Sequence, residues 1–166
     1  MHEGKDQQVY KLTVKSGGRH HSIAAWPGLL GVSYVPHVAT VPKVGYLFAF
    51  DSLDHAVAFT ARVLSRQQIK DDILVVWHAT ATVVDLHPSS CLFSPRGAEQ
   101  LKIFWREYKM SRSSGVPIDT FLWSTYYGGA LMDTPVGTVL CSKITITEPV
   151  NKDLVLREYD MVFPYL

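Results

Sequence analysis

The stretch from Gly45 to Asp85, GYLFAF-DSLDHAVAFTARVL-SRQQIKDD-ILVVWHATATVVD, decides the fold class. GYLFAF is an apolar run of strand length. In DSLDHAVAFTARVL, Leu53, Ala56, Val57, Val63 and Leu64 fall on one helical face with Phe59 beside it. Asp51 is placed to cap that helix, and Asp54 adds negative charge to its first turn. The helix is predicted to end near Arg66, leaving QQIKDD as a polar connection. From Ile73 to Val84 the chain alternates Ile73, Val75, Trp77, Ala79, Ala81 and Val83 against Leu74, Val76, His78, Thr80, Thr82 and Val84. Both sets are partly apolar, which predicts a central strand covered on each side.

Working outward, Val9 to Lys15 sets Val9, Lys11 and Thr13 against Tyr10, Leu12 and Val14, the period of a half-buried strand that Ser16, Gly17 and Gly18 end. Between Arg19 and Val44, Pro27, Pro36 and Pro42 break any long helix into short extended pieces and turns. Trp26, Leu29, Leu30 and Tyr34 in that region still require burial. Ser94 and Pro95 open a second predicted helix, with Leu101, Phe104, Trp105 and Tyr108 as its buried stripe and Met110 as its limit. Pro117 to Pro135 reads as a short helix or a folded loop. Thr138 to Thr147 alternates again, with Leu140, Ser142, Ile144 and Ile146 on one face and Lys143, Thr145 and Thr147 on the other. Val155 to Phe163 is predicted to be a last strand at a sheet edge, because Arg157, Glu158 and Asp160 interrupt it. The expectation is one α+β domain over Met1–Leu166, with a mixed, mainly antiparallel sheet, whole or split into two packed halves, and two flanking helices.

With 16 basic and 15 acidic residues the chain has no overall field to draw in nucleic acid or an anionic membrane. No run of apolar residues is long enough to span a bilayer, and the first fifteen residues lack the apolar core of an export signal. A soluble, cytoplasmic protein is expected. Cys91 and Cys141 are the only thiols and stand in no metal or redox spacing; they read as buried and reduced, with one disulfide as the lesser alternative.

None of the seven histidines has a second ligand at metal-binding spacing, and the adjacent His20 and His21 would point to opposite faces of a strand. No metal is expected. His78, in mid-strand, reads first as a hydrogen-bonded core histidine and alternatively as a base or ligand contact at the floor of a cleft. The glycine-rich phosphate loop and GxSxG are both missing. Trp123, Tyr126 and Tyr127, followed by Gly128 and Gly129, read as a core plug, or as a stacking platform for a planar ligand.

The order of these segments resembles the ADP-ribosyltransferase-like fold. YKLT at Tyr10–Thr13 is similar to that family's first-strand motif, and GYLFAF with the helix after it to its second. ILVVWHATATVVD and GTVLCSKITIT are similar to the later strands. The resemblance implies that Tyr46 stacks beside a nicotinamide ring and that Lys11, where the family has His or Arg, contacts phosphate or ribose. It also exposes a departure: Gly137 and Thr138 stand where the catalytic acid would open the late strand. Only Asp133 or Glu148 would be at hand to stabilise the positive charge that develops as a glycosidic bond breaks.

Two expectations follow. The first is a non-enzymatic binding or interaction module on this scaffold, without cofactor, with a small planar ligand or a protein as partner. Its ligand site would be a cleft lined by Tyr10, Lys11, Tyr46 and His78, and its loops from Arg19 to Val44 and Ser111 to Pro135 would form a contact surface. The alternative is an active or residual ADP-ribosyltransferase-like enzyme using NAD or a related nucleotide.

Overall fold

The structure is a computed structural model that describes residues 5–22, 32–42, 46–63, 65–84, 90–93, 130–133 and 136–162. The second predicted helix, the aromatic group at Trp123–Tyr127, and Trp26, Leu29, Leu30 and Leu64 lie outside these residues. The fold is α+β. Its main sheet has six strands: β1 (Lys5–Ser16), β2 (Arg19–Ser22), β3 (Ser33–Tyr34), β4 (Leu47–Phe50), β5 (Leu74–Val83) and β8 (Thr138–Pro149). A separate pair joins β6 (Ser90–Phe93) to β7 (Ala130–Asp133). Every described strand pairing is antiparallel, so the parallel component expected of a mixed sheet is not found among the described residues.

The strand order is β3-β2-β1-β4-β8-β5, and β5 also pairs with β1, from Lys5↔Val83 to Val14↔Leu74. Strands β1, β4, β8 and β5 therefore return on themselves, and the sheet curls around an interior of its own. Alternation along the strands decides which side chains line that interior. Val9 of β1, Leu47 and Ala49 of β4, Trp77, Ala79 and Ala81 of β5, and Cys141, Ile144 and Ile146 of β8 form one buried cluster. The opposite set, Leu12, Val14, Phe50, Leu74 and Val76, faces the helices.

Strand β8 changes phase within its length. Thr82 pairs with Lys143 but Val83 pairs with Cys141, so Ser142 is an extra residue in a bulge. Beyond it, Val139 and Cys141 turn inward where strict alternation predicts Leu140, and Leu140 is buried on the other side.

Gly17 (φ 60°) and Gly18 (φ 74°) form the two-residue turn that joins β1 to β2, with Ser16 opposite Arg19. Two successive left-handed residues match the twist of the strands they connect, and glycine takes that conformation without Cβ strain.

Helix α1 (Leu53–Val63) buries Ala56, Val57 and Phe59 against the sheet. Its cap is Ser52 rather than Asp51: the Ser52 hydroxyl accepts from His55 N at 3.4 Å, while the Asp51 carboxylate is engaged by the His55 ring. The expected polar connection contains a second helix, α2 (Arg66–Lys70). Ser65 and Gln68 form a reciprocal capping box there, and Ile69 drops into the core.

The predicted final strand is instead helix α3 (Lys152–Val162). Asn151 Oδ1 accepts from Asp153 N at 2.9 Å and Leu154 N at 3.4 Å, and Val155 and Tyr159, four residues apart, share the buried face. The charges at Arg157, Glu158 and Asp160 occupy the solvent side of a helix, so they interrupt nothing. Arg66 Nε and Nη2 donate to Asp160 Oδ1 at 2.9 Å and Oδ2 at 3.0 Å, a forked pair that ties α2 to α3.

Candidate functional site

Strand β1 carries two of the four residues expected to line a ligand cleft, and being adjacent they leave it on opposite faces. Tyr10 lies directly opposite His78, their rings 5.5 Å apart and tilted by 50°, on the outer face of the sheet where β1 meets β5. His78 is exposed, which overturns its reading as a core histidine and the full cover expected over β5. From His78 onward its neighbours on that face are polar: Gln8 Nε2 donates to Thr80 Oγ1 at 3.3 Å, and Thr82 Oγ1 donates to Asp6 Oδ1 at 2.7 Å. The same face is covered at Leu74 and Val76, which lie in the core under the helices, so the cover over β5 ends before His78 rather than running its whole length.

A second bulge lies beside His78. Trp77 pairs with Pro149 and Ala79 with Ile146, which sets Thr147 and Glu148 together opposite His78. Thr147 Oγ1 donates to the His78 carbonyl at 3.0 Å and holds the bulge in place. A phenol, an imidazole and a carboxylate thus share one exposed stretch of sheet. The spacing of Thr147 and Glu148 gave no sign of this, because the bulge exists only through pairing with β5.

Lys11 points the other way, into the sheet's interior, and is 4 % exposed. Its ammonium donates to the Phe48 carbonyl at 2.6 Å and stands 5.2 Å from the centroid of the Tyr34 ring. Burial lowers its pKa from 10.5 to about 8, with the Cys141 thiol acting in the opposite sense. Cys141 is free and buried, and burial pushes its thiol up to about 12, with Lys11 acting in the opposite sense. Burial raises the Tyr34 hydroxyl as well, Cys141 adding to the effect and Ser22 opposing it. Around these groups Trp77 Nε1 donates to Thr13 Oγ1 at 2.8 Å, and the His20 ring meets Trp77 edge-on at 4.9 Å. His21 contacts Ser33 and the Ser16 carbonyl instead, so the two adjacent histidines do face opposite ways.

Tyr46 precedes β4 by one residue and is half-buried. Phe50 lies opposite Tyr10, and Tyr46 is four residues earlier, roughly 13 Å back along the strand direction at the rise of extended chain. The described residues therefore bring Tyr10 and His78 together, seal Lys11 behind them, and set Tyr46 apart. The single cleft expected for all four does not form among them.

Gly137, in the expected position of a catalytic acid, closes a different arrangement. Its φ of 83° admits glycine readily, its carbonyl accepts from Asp51 N at 2.9 Å, and a Cβ there would overlap the His55 ring and the Asp51 carboxylate. Asp51 Oδ1 and His55 Nδ1 are 2.6 Å apart, and this hydrogen bond raises the His55 pKa. Asp133 pairs with Ser90 in the separate two-stranded sheet.

An apolar groove of about 370 Å³ opens where β8 leaves β5. It is lined by Ile69, Leu74, Val76, Val150 and Val155, and the Asp72–Lys152 ion pair is at its rim. None of the four expected ligand residues lines it. Among the described residues no group of three His, Cys, Asp or Glu side chains is placed to hold a metal ion, and no helix is long and apolar enough to cross a membrane.

Comparison with known protein families, with characterised proteins and with solved structures finds no match to this chain.

Proposed function

We propose that this chain is a non-enzymatic binding module on an ADP-ribosyltransferase-like scaffold, and that it meets its partner through the outer sheet face around Tyr10 and His78. The observation that carries the reading is the division of β1. Tyr10 and His78 are paired on the outer face with rings 5.5 Å apart, whereas the adjacent Lys11 is enclosed and bonded to Phe48. An ammonium only 4 % exposed presents no surface on which a bulky phosphate from solvent could dock. The nucleotide-holding role that the resemblance implies for Lys11 is thereby weakened, and the distance to Tyr46 weakens it further.

What stays accessible is suited to recognition: the part of the Tyr10 ring not packed against the helix-side core, an imidazole, and the threonine hydroxyls and glutamine of β1 and β5. Such a surface fits a small planar group or an extended protein segment, with no cofactor and no nucleic acid, in a cytoplasmic setting. To test it, a photoreactive amino acid is placed at position 78 and, separately, at the exposed position 161 of α3, and crosslinking is followed in cells. A discrete adduct at position 78 that is missing at position 161 is the expected result. No adduct at 78, or the same adducts at both, would count against this face.

Glu148 favours a second reading. The bulge puts its carboxylate in the same exposed stretch as His78 and Tyr10, where it would supply the acid for a residual ADP-ribosyltransferase-like activity on NAD. Release of nicotinamide from NAD by the wild-type chain, lost in Glu148→Gln, would establish that reading. No release above buffer leaves the binding module.

A further inference from the structure

The interior enclosed by β1, β4, β5 and β8 holds a positive charge with no counter-charge among the described residues. Lys11 Nζ donates to one neutral carbonyl, Phe48 O, and otherwise stands over the Tyr34 ring. The described salt bridges join other residues. Tyr34, only 2 % exposed, carries a hydroxyl with no partner within 3.5 Å in hydrogen-bonding geometry, and the neighbouring Ser22 hydroxyl, itself neutral, leaves it without a charged acceptor. Buried polar groups are nearly always satisfied, and an orphaned buried donor beside a buried ammonium calls for an acceptor bearing negative charge. The other groups nearby do not provide one. Thr13 Oγ1 is occupied by Trp77 Nε1, and the Cys141 thiol, whose own contact is to the Val139 carbonyl, keeps its proton at neutral pH.

From these two side chains we infer that the sheet interior is a binding site for a small monovalent anion of halide size, held between the Lys11 ammonium and the Tyr34 hydroxyl. Both groups are donors, and the same strands fix both: Lys11 lies on β1, and Tyr34 on β3, which reaches β1 through β2. A bound anion neutralises the interior and satisfies the phenol in one step. A larger oxyanion or a carboxylate-bearing metabolite does not suit an interior packed with Trp77, Ala79, Cys141 and Ile144. The site concerns the inner face of β1, so it is independent of the outer face proposed for recognition.

The test is the thermal stability of the full chain at pH 6, where Lys11 is protonated, in sodium chloride against sodium gluconate up to 200 mM. Binding to the folded state alone raises the unfolding temperature in proportion to the logarithm of occupancy, and a rise of about 3 °C with chloride over gluconate is expected. General salt effects run the other way, because excluded, strongly hydrated anions are the better stabilisers. Lys11→Met and the milder Tyr34→Phe should each abolish the chloride-specific rise. Equal effects of the two salts on the wild type would overturn the site, as would a chloride-specific rise surviving in Tyr34→Phe.

Discussion

Lys11 is the residue on which most of the interior electrostatics turns. Its folded-state pKa of about 8 lies below the 10.5 of an exposed lysine, so the unfolded chain holds the extra proton between those values. Stability therefore rises with pH from about 8 upward, and below 8 the full penalty, on the order of 3 kcal/mol, is present. Cys141 acts in the opposite direction. Its thiol, raised from 9.0 to about 12, makes stability fall as pH climbs above 9. The window left to Lys11 alone is pH 8 to 9, where the denaturation midpoint of the wild type should increase by an amount equivalent to about 1 kcal/mol. Lys11→Met should be flat across that window and, at pH 7 in low chloride, more stable by about 1–3 kcal/mol, because an apolar side chain of similar volume removes an uncompensated buried charge. Urea titrations at a series of pH values check both. A second residue-scale prediction concerns Gly137→Ala. Its positive φ and the overlap of a new Cβ with His55 and Asp51 should destabilise the fold by about 2 kcal/mol or more. It should also lower the His55 pKa seen by NMR titration, since the new methyl group forces the imidazole away from Asp51. The sequence announced Gly137 only as a missing acid. Its close contact with α1 depends on a fold that brings residue 137 against residues 51 and 55.

At the scale of elements, the clearest departure is α3. Arg157, Glu158 and Asp160 within an apolar run read as an interrupted edge strand, yet Val155 and Tyr159 lie four apart and Asn151 caps the first turn. The cap was present in the sequence, and its weight came from the packing of Val155 and Tyr159 on the same core as Ile69 and Leu12. Asn151→Ala should therefore cost about 1 kcal/mol, measured by chemical denaturation, and Asn151→Asp should restore most of it. The hairpin between β1 and β2 was legible from Gly17 and Gly18 alone. Gly18→Val, which forces a β-branched residue into the left-handed region, should destabilise by about 1–2 kcal/mol with no loss of side-chain contact, because open space surrounds that position. The two bulges of β8 were not legible. An extra residue in a strand has no local signature, and it appears only when β5 fixes the register on both sides of it.

At the scale of the whole molecule, the long ladder between β1 and β5 and the return of β8 to β5 make these strands the common wall of both cores. Amide exchange should be slowest at Val9–Val14, Val76–Ala81 and Ile144–Ile146 and fastest in α2 and β3. Uniform protection across α2 and β5 would contradict that ordering. The amino-acid sequence by itself determined the α+β class, the positions of β1, α1 and β5, the turn at Gly17 and Gly18, and which side chains of β5 share a face. These follow from periodicity and turn chemistry, which act over a few residues. Tertiary structure alone decided that Lys11 and Tyr10 serve different faces, that His78 meets solvent, and that Thr147 and Glu148 stand beside it. A side chain's surroundings depend on which strand lies next to it and in what register, and the residues that set both for β1 are dozens of positions away along the chain.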